Sequence, residues 1–144
     1  MNNNSEEKTG YLLIAHGAMA HEMLNALEFI AGSQDNFKAV AIDHALEVDK
    51  ARQIIMSHID ELMTGGGVIV LTDLFGGAPS NLAMSILDEK EIEIVAGMNL
   101  PMLIYATTLD DRSPIKEKAE RLRDYGKNNI FVASEVLSGK KKPA

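Results

Sequence analysis

Three features of the chain predict an α/β fold: an open, mainly parallel sheet in the order 2-1-3-4 with helices on both faces. Short, wholly apolar runs such as Tyr11 to Ala15 and Val68 to Leu71 have strand length and lack polar alternation, the pattern of strands covered on both sides. Segments with apolar residues at helical spacing separate them, so successive strands need a crossover and lie parallel. The segments Ile14-Ala15-His16-Gly17 and Thr72-Asp73-Leu74-Phe75-Gly76-Gly77-Ala78-Pro79 each end a strand and open a helix. They place a histidine, an aspartate and a glycine pair at strand carboxyl ends, where open α/β sheets bind their ligands.

The elements follow in order. Tyr11 to Ala15 is the first strand, and apolar residues from about Met19 to Ile30 predict a helix that Gly32 stops. Phe37 to Ile42 mixes Val, Ile and Phe in strand fashion. Val48 to Met63 sets Ala51, Ile55, Ile59 and Leu62 on one helical stripe, ended by Gly65-Gly66-Gly67. Val68 to Leu71 is the most strand-like run in the chain. Pro79 at a first helical position opens a helix through about Leu87. Ile92 to Ala96 is a fourth strand. A helix is expected over Leu100 to Leu109, another from about Ser113 to Tyr125 with Gly126 as its cap, and a final short strand over Ile130 to Ala133. In the order 2-1-3-4 the first and third strands are neighbours whose helices lie on opposite faces, so their tips form the switch point and His16 faces Asp73.

The 144 residues suffice for one domain with a real core. We expect a single domain over 11–134 between a disordered N-terminal tail, 1–10, and a C-terminal tail, 135–144. Apolar residues at 46% and charged residues at 24% exclude disordered and fibrous classes. With no cysteine, disulfide, thiolate and zinc-thiolate chemistry are excluded. The opening Met1-Asn2-Asn3-Asn4-Ser5-Glu6-Glu7-Lys8 is unlike a signal peptide, and no apolar run reaches membrane-span length, so a cytoplasmic location is expected. A formal charge of −7 argues against nucleic acid as partner. The one basic run, Lys140-Lys141-Lys142, reads as a solvated tail.

A neutral imidazole is a nucleophile near pH 7, and a carboxylate that accepts from one ring N–H leaves the other nitrogen with its lone pair outward. That assigns His16 as nucleophile and Asp73 as the group that orients it. The N–H groups of Gly76, Gly77 and the helix start at Ala78 are candidate donors to phosphoryl oxygens. Together these residues suggest phosphoryl transfer through phosphohistidine. Taken singly, each has a plainer reading as a strand-to-helix turn or cap. The argument rests on their coincidence at adjacent strand tips.

The same residues resemble the IIA component (EIIA) of the mannose-type sugar phosphotransferase system (PTS). The resemblance runs from Tyr11 to about Ser134 and is carried by Ala15-His16-Gly17, by Asp73-Leu74-Phe75-Gly76-Gly77-Ala78-Pro79-Ser80-Asn81, and by Ala96-Gly97-Met98-Asn99-Leu100-Pro101-Met102-Leu103. It implies a phosphocarrier that accepts a phosphoryl group from phospho-HPr on His16, at the tele nitrogen, and passes it to an EIIB component for sugar uptake, with Asp73 bonded to that histidine. It also implies a homodimer in which the final strand, Ile130 to Ala133, runs antiparallel and is exchanged into the partner's sheet. No cofactor, metal, nucleotide or sugar bound by the chain itself is expected, and peripheral association with a membrane permease complex stays open. Because the chain stops soon after this segment, the acceptor is expected to be a separate protein. Ala15 and Ala78 depart from the hydroxyl residues that family members often carry there. Ser80 is therefore a candidate phosphate-binding residue, and Asn99 a candidate supporting group for the loop or phosphate.

His21 reads as a solvated helix residue, His44 as a loop histidine and His58 as a boundary residue, without metal-ligand spacing. Met19, Met98 and Met102 are candidates for a partner surface, with core packing equally open for the last two. Three other functions remain: a phosphotransfer subunit for dihydroxyacetone kinase, a regulatory module that binds a partner according to His16 phosphorylation, and a binder of a phosphorylated metabolite.

Overall fold

The computed structural model describes residues 7–43, 45–87, 91–109 and 112–140. Four strands, β1 (Gly10–His16), β2 (Phe37–Ile42), β3 (Val68–Thr72) and β4 (Ile92–Ala96), form one sheet in the order β2-β1-β3-β4 with every pairing parallel. The helices are α1 (Met19–Ala31), α2 (Val48–Leu62), α3 (Ala78–Met84), α4 (Leu100–Ala106), α5 (Ile115–Asn128) and α6 (Ala133–Leu137). The predicted fold class and strand order are those observed.

The apolar runs become central strands because both faces of the sheet are covered. In β1, Tyr11, Leu13 and Ala15 pack into the layer of α1, α4 and α5, while Leu12 and Ile14 enter the layer of α2 and α3. The period-two alternation of side chains divides one continuous apolar run between two cores. His16 continues the second set, toward the side of the sheet that carries α3.

Helix ends follow local chemistry. Gly32 closes α1 with φ 86°, its N–H donating to the Glu28 carbonyl. Asn99 caps α4, its Oδ1 accepting from the Met102 N–H. Gly126, expected as a cap, lies inside α5, and its reason is close packing. A methyl group there would come within 2.8 Å of Met102 Cε and 3.2 Å of Asn99 Oδ1.

The expected strand over Ile130 to Ala133 is corrected. Ile130 to Val132 lie outside the four-stranded sheet, with Ile130 65% and Val132 58% exposed, and Ala133 already belongs to α6. Strand propensity is a preference for a pleated, half-buried surface, and after α5 the chain leaves Ile130 and Val132 exposed outside the described sheet. Helix α6 also occupies the start of the expected C-terminal tail. Of the expected N-terminal tail, 1–6 lie outside the described residues, whereas Thr9 is buried and Gly10 opens β1. Lys141 and Lys142 of the basic run also fall outside them. Among the described residues no helix is long and apolar enough to cross a membrane.

Candidate functional site

The register of the sheet brings His16 and Asp73 together. The β1–β3 ladder ends with Ile14 opposite Thr72, whereas β1 continues beside β2 to His16 opposite Ile42. Beyond Thr72 the chain turns, and the Asp73 carboxylate takes the place of the next strand acceptor. Its Oδ2 accepts the His16 backbone N–H at 3.0 Å and bonds His16 Nδ1 at 2.7 Å, while Oδ1 accepts the Leu74 N–H at 2.9 Å. An ionised carboxylate can only accept, so Nδ1 carries a proton, and in the neutral ring the lone pair is then on Nε2.

Exposure is divided unequally across this pair. The His16 side chain is 47% exposed and that of Asp73 is 7% exposed. Burial pushes the Asp73 carboxyl up, but the bonds from the His16 N–H, the His16 ring and the Leu74 N–H outweigh it and hold the group below the ordinary aspartate range. Asp73 is thus a buried carboxylate favoured as the anion, bonded to one nitrogen of a half-exposed imidazole.

Past Asp73, Leu74 and Phe75 stand exposed, and Gly76 turns the chain with φ 98°, a conformation that favours glycine. Gly77 then passes directly against the imidazole. A methyl group on it would lie 2.9 Å from His16 Cε1 and 3.4 Å from Nε2. The loop Gly-Gly sequence therefore reflects two separate needs, a left-handed turn at 76 and a bare backbone at 77.

The remaining expected residues are placed as follows. Ala78 opens α3 beside Pro79. Ser80 is fully buried, its Oγ accepting from the Gly76 N–H at 2.8 Å and donating to the Gly77 carbonyl at 3.0 Å. Asn99 bonds α4 and, through Nδ2, the Gly126 carbonyl at 3.0 Å. It joins the β4 tip to α5. Met98 and Met102 are core residues, and Met19 is exposed at the start of α1. His21 is exposed on α1, and His58 is half-buried on α2 with Nδ1 3.3 Å from Glu61 Oε1. His44 lies outside the described residues. Two features were missed in the sequence: the Leu74 N–H that fixes Asp73, and the contact of Gly77 with the ring. Both depend on the path of the turn, which residue types alone do not set.

The profile of the family described as "PTS system fructose IIA component" matches residues 10–123. The chain belongs to this family. It is a PTS EIIA component of the mannose, fructose and sorbose group, a phosphotransferase family, as the resemblance of its motifs implied. The mannose-specific EIIAB component of the PTS from Escherichia coli K12 is 31% identical over 100 residues, covering 69% of this chain and 31% of that protein. The chain thus spans under a third of that relative's length. The fructose-specific EIIA component from Bacillus subtilis is 24% identical over 127 residues, covering 88% of this chain and 87% of the relative. Among solved structures, the PTS IIA protein associated with the fucose utilization operon of Streptococcus pneumoniae has a TM-score of 0.79 at 28% identity, covering 90% of this chain and 96% of that one. The mannose/sorbose-specific IIA subunit from Enterococcus faecalis has a TM-score of 0.78 at 27% identity, covering 87% and 94%.

Proposed function

We propose that this EIIA component carries a phosphoryl group on Nε2 of His16, accepting it from phospho-HPr and passing it to an EIIB component in the cytoplasm. The observation that carries the reading is the 2.7 Å contact between His16 Nδ1 and the buried Asp73 carboxylate. In the transfer the Nε2 lone pair forms the new N–P bond as the bond to the donor imidazole breaks, and the donor nitrogen leaves with the electron pair. The Nδ1 proton stays in its bond to Asp73, whose charge stabilises the positive character that phosphorylation gives the ring. A phosphohistidine is consumed and a phosphohistidine is formed, so the step is readily reversible, and positioning supplies most of the catalysis. With the Gly76 N–H already engaged by Ser80, Gly77 and Ala78 are the backbone donors proposed for the phosphoryl oxygens.

The reading extends to a homodimer. β4 is an edge strand, and a groove of about 340 Å³ runs beside it, lined by Phe75, Ile94, Val95, Lys116 and Arg123 among others. A free strand edge pairs readily with an extended apolar segment. Ile130 to Val132 have strand composition, with Ile130 and Val132 exposed.

Incubation with phosphoenolpyruvate, enzyme I and HPr tests the function. One acid-labile phosphate per chain, lost in His16→Ala, is expected. A folded chain that takes no label from competent donors would overturn the reading. Light scattering of the full chain and of a variant truncated after Asn129 tests the dimer, which should persist only in the former.

A further inference from the structure

We infer that Ser80 is a positioning residue for phosphoryl transfer, a latch that sets the height at which Gly77 crosses the His16 imidazole, and that its hydroxyl does not contact the phosphoryl group. The inference rests on the carrier reading and assigns Ser80 a different task from direct phosphate binding. Its hydroxyl is fully buried and both of its hydrogen-bonding roles are taken up by the loop. The lone pair accepts the Gly76 N–H at 2.8 Å and the proton goes to the Gly77 carbonyl at 3.0 Å.

These two bonds bracket the point where the loop must be held. Gly76 has φ 98°, and glycine there leaves the turn with few steric limits of its own. Gly77 lies so close to the ring that a methyl group would sit 2.9 Å from Cε1 and 3.4 Å from Nε2. An unlatched loop could rise away from the ring or settle onto it. Asp73 fixes the opposite edge of the imidazole through Nδ1, so the ring is held between a carboxylate on one side and a latched backbone on the other. The loop itself presents few side-chain restraints, since Leu74, Phe75 and Gly76 are exposed. From α3, the Asn81 N–H also holds the Gly77 carbonyl at 2.9 Å, but Ser80 Oγ is the group that ties Gly76 and Gly77 together.

The test compares the parent with Ser80→Ala and Ser80→Thr. Transfer from phospho-HPr should slow by about tenfold in Ser80→Ala, in kcat and not in KM, because alignment and not docking is lost. Ser80→Thr, which keeps the hydroxyl, should recover most of the rate. The His16 Cε1–H resonance should move and broaden in Ser80→Ala, while that of His21 stays. In the parent, the Gly76 amide should exchange slowly with solvent despite its place in an exposed loop. Parental kcat with an unchanged His16 resonance in Ser80→Ala, or fast exchange of the Gly76 amide in the parent, would overturn the latch. A parent that accepts no phosphoryl group would instead fault the carrier reading, and the resonance and exchange measurements would still decide on the latch.

Discussion

Replacing Gly77 with alanine should slow transfer at only a modest cost in stability. The new methyl carbon would sit 2.9 Å from His16 Cε1, 3.1 Å from Leu74 Cδ1 and 3.4 Å from His16 Nε2. Carbon atoms prefer a separation of about 3.5 Å or more, so the imidazole must retreat by roughly 0.6 Å. Leu74 is half exposed and gives way at little cost. Asp73 holds the opposite edge of the ring at 2.7 Å, already the short end of hydrogen-bonding distance, so a shift of roughly 0.6 Å cannot be absorbed along that bond and must swing Nε2 out of its position. The φ of Gly77 is −87°, so the backbone itself accepts alanine without strain. Loss of stability should therefore stay near 1 kcal/mol, about one ordinary hydrogen bond. A misplacement of about 1 Å costs on the order of 100-fold in rate, so this smaller shift should cost about 10-fold or more. Stopped labelling from phospho-HPr, with thermal melting on the same samples, reads both effects. A Gly77→Ala chain that transfers within twofold of the parent would refute the argument that ring placement limits the step.

Asp73→Asn should lower the transfer rate by at least about tenfold, since an amide cannot accept on both sides and favours the wrong tautomer of the ring, which costs roughly 10⁴-fold in a serine hydrolase triad. The Asp73 pKa is lowered in the fold, so its contribution to stability is present above the unfolded-state value near 3.9 and is lost as pH falls through the folded value. Urea unfolding across acid pH should accordingly show a shallower decline below about pH 4 in Asp73→Asn than in the parent. Gly66→Ala would drive a methyl group into the Glu7 carbonyl oxygen and to 2.5 Å from the Lys8 carbonyl carbon, backbone atoms with little room to move. It should cost about 3 kcal/mol by melting, with the Thr9 bonds to Gly66 and Lys118 disrupted. With a charge of −7, docking to a basic donor surface should slow as ionic strength rises, and a salt series of transfer rates that stays flat would count against electrostatic steering.

Much of the fold was legible because its signals are local. β2 and β4 coincide with their expected ranges, and α1 and α2 end within a residue of theirs, where an apolar stripe stops and a glycine or polar turn follows. Errors arose where tertiary context overrides composition. Gly126 carries the usual mark of a helix end, yet it serves the close approach of Met102 and Asn99. Ile130 to Ala133 has strand composition, but composition does not say which sheet, if any, receives it. The expected helix to Leu87 ends as α3 at Met84, and that to Leu109 ends as α4 at Ala106. At the site, the pairing of His16 with Asp73 was readable because strand order alone puts the two tips side by side. The burial of Ser80 and the contact of Gly77 with the ring were not, because a turn's path is fixed by hydrogen bonds that only the folded loop reveals.

The central claim is that Asp73 holds Nδ1 and so leaves Nε2 of His16 as the phosphorylated atom. Correlation of ³¹P with ring ¹⁵N in the phosphorylated, isotopically labelled chain tests it directly. The account predicts one phosphorus per chain coupled to Nε2 of His16, with Nδ1 still protonated. Phosphorus coupled to Nδ1, or attached to any other residue, would contradict it.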